Sequence, residues 1–259
     1  MRAKMNLFQV NKVICHHKGR HHPPVNSHEK GGARKISVAR RVLDANTQTA
    51  EANRRHFSAH GVFALNVMSA PGSGKTTTLV RTIRRLSEHL RCGVIVGDIC
   101  SAYDADQLAV TGAPVVQINT DAFGGDCHLA AHLIDTAARQ MDLDGVDVLI
   151  VENIGNLVCP AEFDIGEDAR VVILSVTEGE DKPIKYPLMF RECNAALLNK
   201  IDLLPHLDYD PDLAIANIHQ VHPDMPVWPL SAKSGDGFTP WVDWILKQVA
   251  RKKEAPAHR

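Results

Sequence analysis

The chain has 259 residues, 44% of them hydrophobic, and a formal net charge of −1. That length and apolar content supply a sizeable core, and the near-neutral charge gives no electrostatic footprint for nucleic acid or an anionic membrane surface. No apolar run reaches the roughly 18 to 20 residues of a membrane span, no apolar secretory stretch opens the chain, and the six scattered cysteines read as thiols or ligands rather than a disulfide framework, so a cytoplasmic protein is expected.

Residues 1–34 carry His16, His17, His21, His22 and His28, a Pro-Pro pair and a Gly-Gly pair, with little apolar periodicity. Such a composition cannot bury a core and is expected to form a flexible His-rich tail. Residues 35–60 place Val38, Val42, Leu43, Ala45, Ala50 and Phe57 at roughly helical intervals, which predicts an amphipathic N-terminal helix. From 61 to 250 the pattern changes to short runs such as "VFALNVM", "GVIVGD", "PVVQI", "VDVLIVE", "RVVILSV", "AALLNK" and "PVWPLSA", separated by longer amphipathic stretches. Near-continuous Val/Ile/Leu strands are expected where helices cover both faces of a parallel sheet. The fold predicted is therefore α/β, a P-loop NTPase with a mostly parallel sheet of about seven strands flanked by helices. Residues 251–259 are expected to be a flexible C-terminal tail.

The first strand runs into "SAPGSGKTTT", the order strand, Gly-rich turn, helix. The pattern is GxxxxGK[ST] with Ser69 at its first position, a mild departure if that residue has negative φ and a costly one if φ is positive. Gly72, Ser73 and Gly74 allow a turn that aims backbone N–H groups and a helix N-terminus at a polyphosphate. Lys75 is expected on the β and γ phosphates, Thr76 on Mg²⁺, and Thr77 beside them. Further on, the NKxD pattern falls at Asn199, Lys200 and Asp202. A carboxylate there accepts the N1 and N2 protons of guanine, which favours GTP over ATP. Ser231, Ala232 and Lys233 then offer a backbone N–H for guanine O6 and a lysine stem to cover the ring.

Two acidic strand ends, Asp98 and Glu152, should lie at the carboxyl edge of the sheet, where open α/β folds bind nucleotides. Asp98 is expected to be the Mg²⁺-linked switch carboxylate, Glu152 to reach Mg²⁺ through water, and Asp104 to orient the attacking water. Each also fits a plainer role in capping a helix or holding a loop. No glutamine or arginine finger can be placed by sequence, so slow intrinsic hydrolysis is expected.

Cys127 and His128 stand ahead of "LAAHLIDTAARQM", which reads as a helix with His132 one turn beyond His128, and Cys159 lies in "ENIGNLVCP". A thiol near helix N–H groups favours thiolate, which binds soft or borderline metals. Cys127, His128 and Cys159 are three ligands where tetrahedral zinc and square-planar nickel each take four. Taken alone, the pair also fits an ordinary helix start with a solvated histidine.

Together, "SAPGSGKTT", "VGD", "GGDCH", "VENIGNLVCP", "SVTEGEDKPIKYP" and "NKIDLLP" make residues 36–248 closely resemble the HypB family, the nickel-incorporation GTPases of [NiFe]-hydrogenase maturation. The resemblance implies a Mg²⁺-dependent GTPase that cycles between GTP and GDP and gates nickel transfer into a hydrogenase large-subunit precursor. It also implies a nucleotide- and metal-dependent homodimer, a nickel-binding accessory maturation protein as partner, and Ni²⁺ or Zn²⁺ on Cys127, His128 and Cys159. Metal storage, and service to urease or a cobalamin enzyme, are the rival readings, and "ENIGNLVCP" with "TEGEDKP" disfavours the latter. The chain departs from the family pattern in two places. Cys15 followed by "HHKGRHHPP" stands where some members have CxxCGC, and the segment before Cys127 is longer, with Ala130 where an acidic residue is common.

Overall fold

Strand β1 (Phe63–Ser69) is buried at every position. β2 (Cys92–Asp98), β4 (Val148–Glu152), β5 (Ala169–Ser175) and β6 (Ala195–Asn199) are nearly as apolar and as deeply enclosed. With β3 (Val115–Asn119) and the short β7 (Val227–Pro229) they form a seven-stranded sheet in the order β3-β2-β4-β1-β5-β6-β7. Every pairing is parallel, so the expected mostly parallel sheet is parallel throughout. The computed structural model describes residues 31–98, 103–120 and 128–254, with side chains described from residue 43 onward.

Helices cover both faces, and that is why the strands lack polar alternation. On one side lie α2 (Lys75–Leu86), α3 (Tyr103–Ala109) and α9 (Phe238–Glu254). Thr78, Leu79, Thr82, Ile83 and Leu86 form the buried stripe of α2, and Phe238, Trp241, Val242, Ile245 and Val249 that of α9. Both stripes follow helical spacing. Trp241 is fully buried and its indole N–H donates to Thr82 Oγ1 at 3.0 Å, so its polar edge is satisfied inside the core.

The opposite face is covered by α1 (Gly31–Ala59) and α4 (Ala131–Ala138). The short turns α5 (Cys159–Glu162), α6 (Lys182–Lys185) and α7 (Pro187–Glu192) lead round to α8 (Pro211–Val221). Asp210 caps α8, accepting the Asp212 and Leu213 N–H groups at 3.0 and 3.1 Å, while Pro211 occupies a first-turn position that needs no donor.

The element boundaries correct two expectations. Helix α1 begins at Gly31, so residues 31–34 are helical rather than tail, and residues 1–30 lie outside the described residues. Helix α9 continues through Glu254, which takes residues 251–254 out of the expected C-terminal tail. Lys252 anchors that extension by donating to Ser58 Oγ at 2.7 Å and Asp168 Oδ1 at 2.6 Å. Among the described residues no helix is long and apolar enough to cross a membrane.

The chain leaves central β1 first toward β2 and β3, then returns to extend the sheet through β5, β6 and β7. In open α/β sheets such a reversal creates a crevice at the carboxyl ends of the strands. Ser69, Asp98, Glu152 and Asn199 all end strands at that edge.

Candidate nucleotide and metal sites

The loop from Ser69 to Lys75 turns sharply at two glycines. Gly72 has φ 78 and Gly74 has φ 89, a region open to glycine at little cost. A Cβ on Gly74 would also stand 2.6 Å from Asn199 Nδ2, so this position is closed to side chains on both counts. Ser69 is fully buried at the end of β1, and Lys200 is the one non-glycine with positive φ among the described residues. The serine therefore sits in backbone that any residue adopts, and its departure from glycine is the mild case. From the next strand end, Gly155 presses on the loop, where an added Cβ would meet Pro71 at 3.2 Å. The loop encloses a cavity of about 420 Å³ that Asp98, Asp104 and Gln107 also line.

Behind Lys75 and Thr76, Glu152 is 1% exposed. Thr76 Oγ1 donates to Glu152 Oε1 at 2.7 Å, and Lys75 Nζ lies 3.3 Å from the same oxygen. Burial pushes the Glu152 carboxyl above its ordinary range, while Lys75 and Thr76 pull it back. Its second oxygen, Oε2, is buried with no hydrogen-bond partner among the described residues. A hydroxyl, an unsatisfied buried carboxylate oxygen and the nearby Asp98 make a hard oxygen donor set of the kind that suits Mg²⁺. Lys75, Thr76, Asp98 and Asp104 line the cavity, and Glu152 lies behind Lys75 and Thr76. The lining adds Gln107, which helical spacing from Asp104 places on the same face of α3, and which a search for local motifs passes over.

A second cavity of about 320 Å³ shares Gly74 and Thr77 with the first and is lined by Asn199, Lys200, Asp202, Ala232 and Lys233. Asn199 is fully buried and holds both walls, its Nδ2 donating to Ser73 O at 2.9 Å and its Oδ1 accepting the Ala232 N–H at 3.0 Å. Lys200, with φ 66, turns the chain so that its Nζ donates to Gly72 O at 2.6 Å and to Thr177 Oγ1 at 3.3 Å. Asp202 Oδ1 accepts the Ser231 hydroxyl at 2.6 Å. The Ala232 N–H donates to Asn199 Oδ1 and the Ser231 N–H to Asp236 O at 3.0 Å.

Sequence reasoning also missed Arg81. Its Nε donates to Ala232 O at 2.9 Å and its Nη2 to Lys233 O at 2.8 Å, so α2 braces the loop that follows β7. No motif marks this arginine, because its partners are backbone carbonyls remote in sequence.

The candidate metal segment is built differently. Cys127 lies outside the described residues. His128 precedes α4 by three residues, so the helical spacing expected to bring His132 beside it does not apply, and His132 is exposed on α4. The His128 ring stacks on Phe163, with centroids 3.7 Å apart and planes at 23°. Cys159, partly exposed, opens α5, one short turn before Phe163. Among the described residues no group of three or more His, Cys, Asp or Glu side chains is disposed to hold a metal ion. Cys92 and Cys193 are buried, and burial pushes the Cys92 thiol up to about 12 and Cys193 higher still, so these two are inert core residues.

Comparison with known proteins matches residues 63–229, more than half of the chain, to the CobW/HypB/UreG nucleotide-binding domain. The chain is 48% identical over 235 residues to the hydrogenase maturation factor HypB of Azotobacter chroococcum, covering 90% of this chain and 76% of that protein. It is 45% identical over 229 residues to HypB of Escherichia coli strain K12, covering 88% and 78% respectively. Among solved structures, HypB from Helicobacter pylori in complex with nickel superposes with a TM-score of 0.75 at 30% identity, covering 82% of this chain and 98% of that chain.

Proposed function

Because the chain belongs to the HypB family of hydrogenase maturation factors, we propose that it is a GTPase whose nucleotide cycle drives nickel into a [NiFe]-hydrogenase large-subunit precursor. The observation that carries the reading is the shared wall of the two cavities. Gly74 and Thr77 line both, and Asn199 and Lys200 tie the phosphate loop to the guanine-reading loop. One ligand with a polyphosphate at one end and a base at the other fits that arrangement.

In this reading the amides from Gly72 to Thr77 and the Lys75 ammonium receive the phosphates, and Asp202 accepts the guanine N1 and N2 protons. Thr76, Asp98 and Glu152 would hold Mg²⁺, which when bound neutralises charge developing on the β and γ oxygens. Asp104, with Gln107 beside it, orients water toward the γ-phosphorus, and the P–O bond to the β-phosphate breaks to give GDP and inorganic phosphate. Lys75 and Thr76 leave Glu152 as they turn to the nucleotide, and that exchange is the switch event.

Nickel is the cargo, received by Cys127, His128 and Cys159, thiolate and imidazole donors that also accept zinc. Their incomplete ligand count is met by a second copy of the chain in a nucleotide- and metal-dependent homodimer. An accessory nickel-binding maturation protein and the hydrogenase precursor are the partners in cargo transfer, in the cytoplasm.

The test is complementation of a strain that lacks its own family member. Wild-type chain is expected to restore hydrogenase activity, and Lys75→Ala to lower the recovery on the order of 10²-fold or more. Full recovery with Lys75→Ala would overturn the GTPase reading in favour of metal storage. Recovery of urease or a cobalamin enzyme in place of hydrogenase would reassign the client.

A further inference from the structure

Glu152 and Asn153 are neighbours at the end of β4, and successive strand residues face opposite sides of a sheet. Glu152 faces α2, where Thr76 and Lys75 meet it. Asn153, 1% exposed, faces the layer of α1 and α4. Its Nδ2 donates to Asn66 Oδ1 at 3.2 Å, and its Oδ1 accepts the Ile154 N–H at 2.9 Å and the Leu129 N–H at 3.4 Å. Leu129 is the residue after His128.

The contacts continue beyond Asn66. Asn66 Nδ2 donates to Glu167 Oε1 at 3.1 Å, and Glu167 Oε2 accepts the Ile165 N–H at 2.8 Å. Asn53 on α1 closes the circuit, donating to Ala131 O at 2.8 Å and Ile165 O at 3.0 Å. The buried polar chain therefore starts one peptide from Glu152, which holds Lys75 and Thr76 of the cavity wall. It ends on the two segments that carry the stacked rings of His128 and Phe163. Asn53, Asn66, Asn153 and Glu167 are all buried, where an unsatisfied polar group costs about 1–3 kcal/mol. Such a network moves as a unit or holds still, because breaking one bond strands its partner.

We propose that Asn153 is a positioning residue that couples the Glu152 carboxylate behind Lys75 and Thr76 to the His128 segment, so that the bound nucleotide sets nickel affinity through the Leu129 amide. The inference rests on the GTP-gated reading above and names the side chain through which the gate acts. When Lys75 and Thr76 turn from Glu152 to phosphate, the end of β4 shifts. Asn153 then gives up or tightens its hold on Leu129.

The experiment measures Ni²⁺ affinity of the full chain with GDP and with a non-hydrolysable GTP analogue, in wild type and in Asn153→Ala. Wild type is expected to differ at least about fivefold between the two nucleotides. In Asn153→Ala the ratio is expected to fall to near unity, with GDP affinity unchanged. A wild-type ratio of one overturns the gating reading itself. A wild-type ratio that survives in Asn153→Ala overturns the relay alone. Should Asn153→Ala fail to fold, hydrogen exchange at the Leu129 amide of the wild-type chain replaces it. Protection there is expected to change at least about fivefold between nucleotides, and unchanged protection overturns the relay.

Discussion

The two cavities at the carboxyl edge of the sheet and the segment around His128 are held in different ways. In the cavities, side chains bond directly to the backbone of the loops that form the walls. Asn199 grips Ser73 and Ala232, Lys200 grips Gly72, and Arg81 grips Ala232 and Lys233. The His128 segment is held behind its ring, through Asn153 at Leu129 and through Asn46 and Asn53 at Ala131. Its candidate donor ring stacks on Phe163. A pocket that must distinguish one base from another needs each donor fixed within a fraction of an ångström. A site that must take up and release a metal is better served by ligands whose anchors can shift together.

Asp202→Asn should disturb the braced region most. An amide in place of the carboxylate presents an N–H where guanine also presents one, so GTP affinity is expected to fall on the order of 10²-fold or more. Xanthosine triphosphate, with a carbonyl in place of the guanine amino group, should gain in the same variant. Competition titrations with the two nucleotides measure both effects, and an unchanged preference for guanine would remove Asp202 from base recognition. A smaller loss is expected of Gly74→Ala. Its φ of 89 costs an L-residue about 1–3 kcal/mol, and the new methyl would press on Asn199. Nucleotide affinity should drop about tenfold or more, with a lower unfolding temperature.

Phe163→Ala probes the His128 region and should have the smallest effect. Loss of a stacked pair is worth about 0.5–1.5 kcal/mol, so nickel affinity should weaken about two- to tenfold with guanine-nucleotide affinity unchanged. Equal losses of both ligands would show that the two regions are one rigid unit and would erase the contrast between them.

How much the sequence disclosed follows the same division. The phosphate loop and NKxD were legible because each needs particular residue types at fixed local spacing, as Gly74, Lys75 and Asp202 show. The sheet was legible from Val/Ile/Leu runs such as "VLIVE". Arg81 and Asn153 were not, since Arg81 bonds backbone carbonyls and Asn153 bonds Asn66 and the Leu129 amide, all in segments far along the chain that local pattern does not pair. His132 misled for a related reason. The apolar period predicted a helix from Leu129 with His128 at or near its start, whereas Ala130 is extended (ψ 156) and the helix begins at Ala131. Asn46 Oδ1 accepts the Ala131 N–H at 2.9 Å and so supplies a cap from another helix, where the local sequence offers only alanine.

The central claim, that the nucleotide cycle gates the cargo, is tested most directly in a single turnover. Nickel-loaded chain with bound GTP is followed for phosphate release and for transfer of nickel to a chromogenic chelator at the same time. The account predicts that the two traces rise together and that a non-hydrolysable analogue abolishes both. Nickel transfer at the same rate with the analogue as with GTP would contradict it.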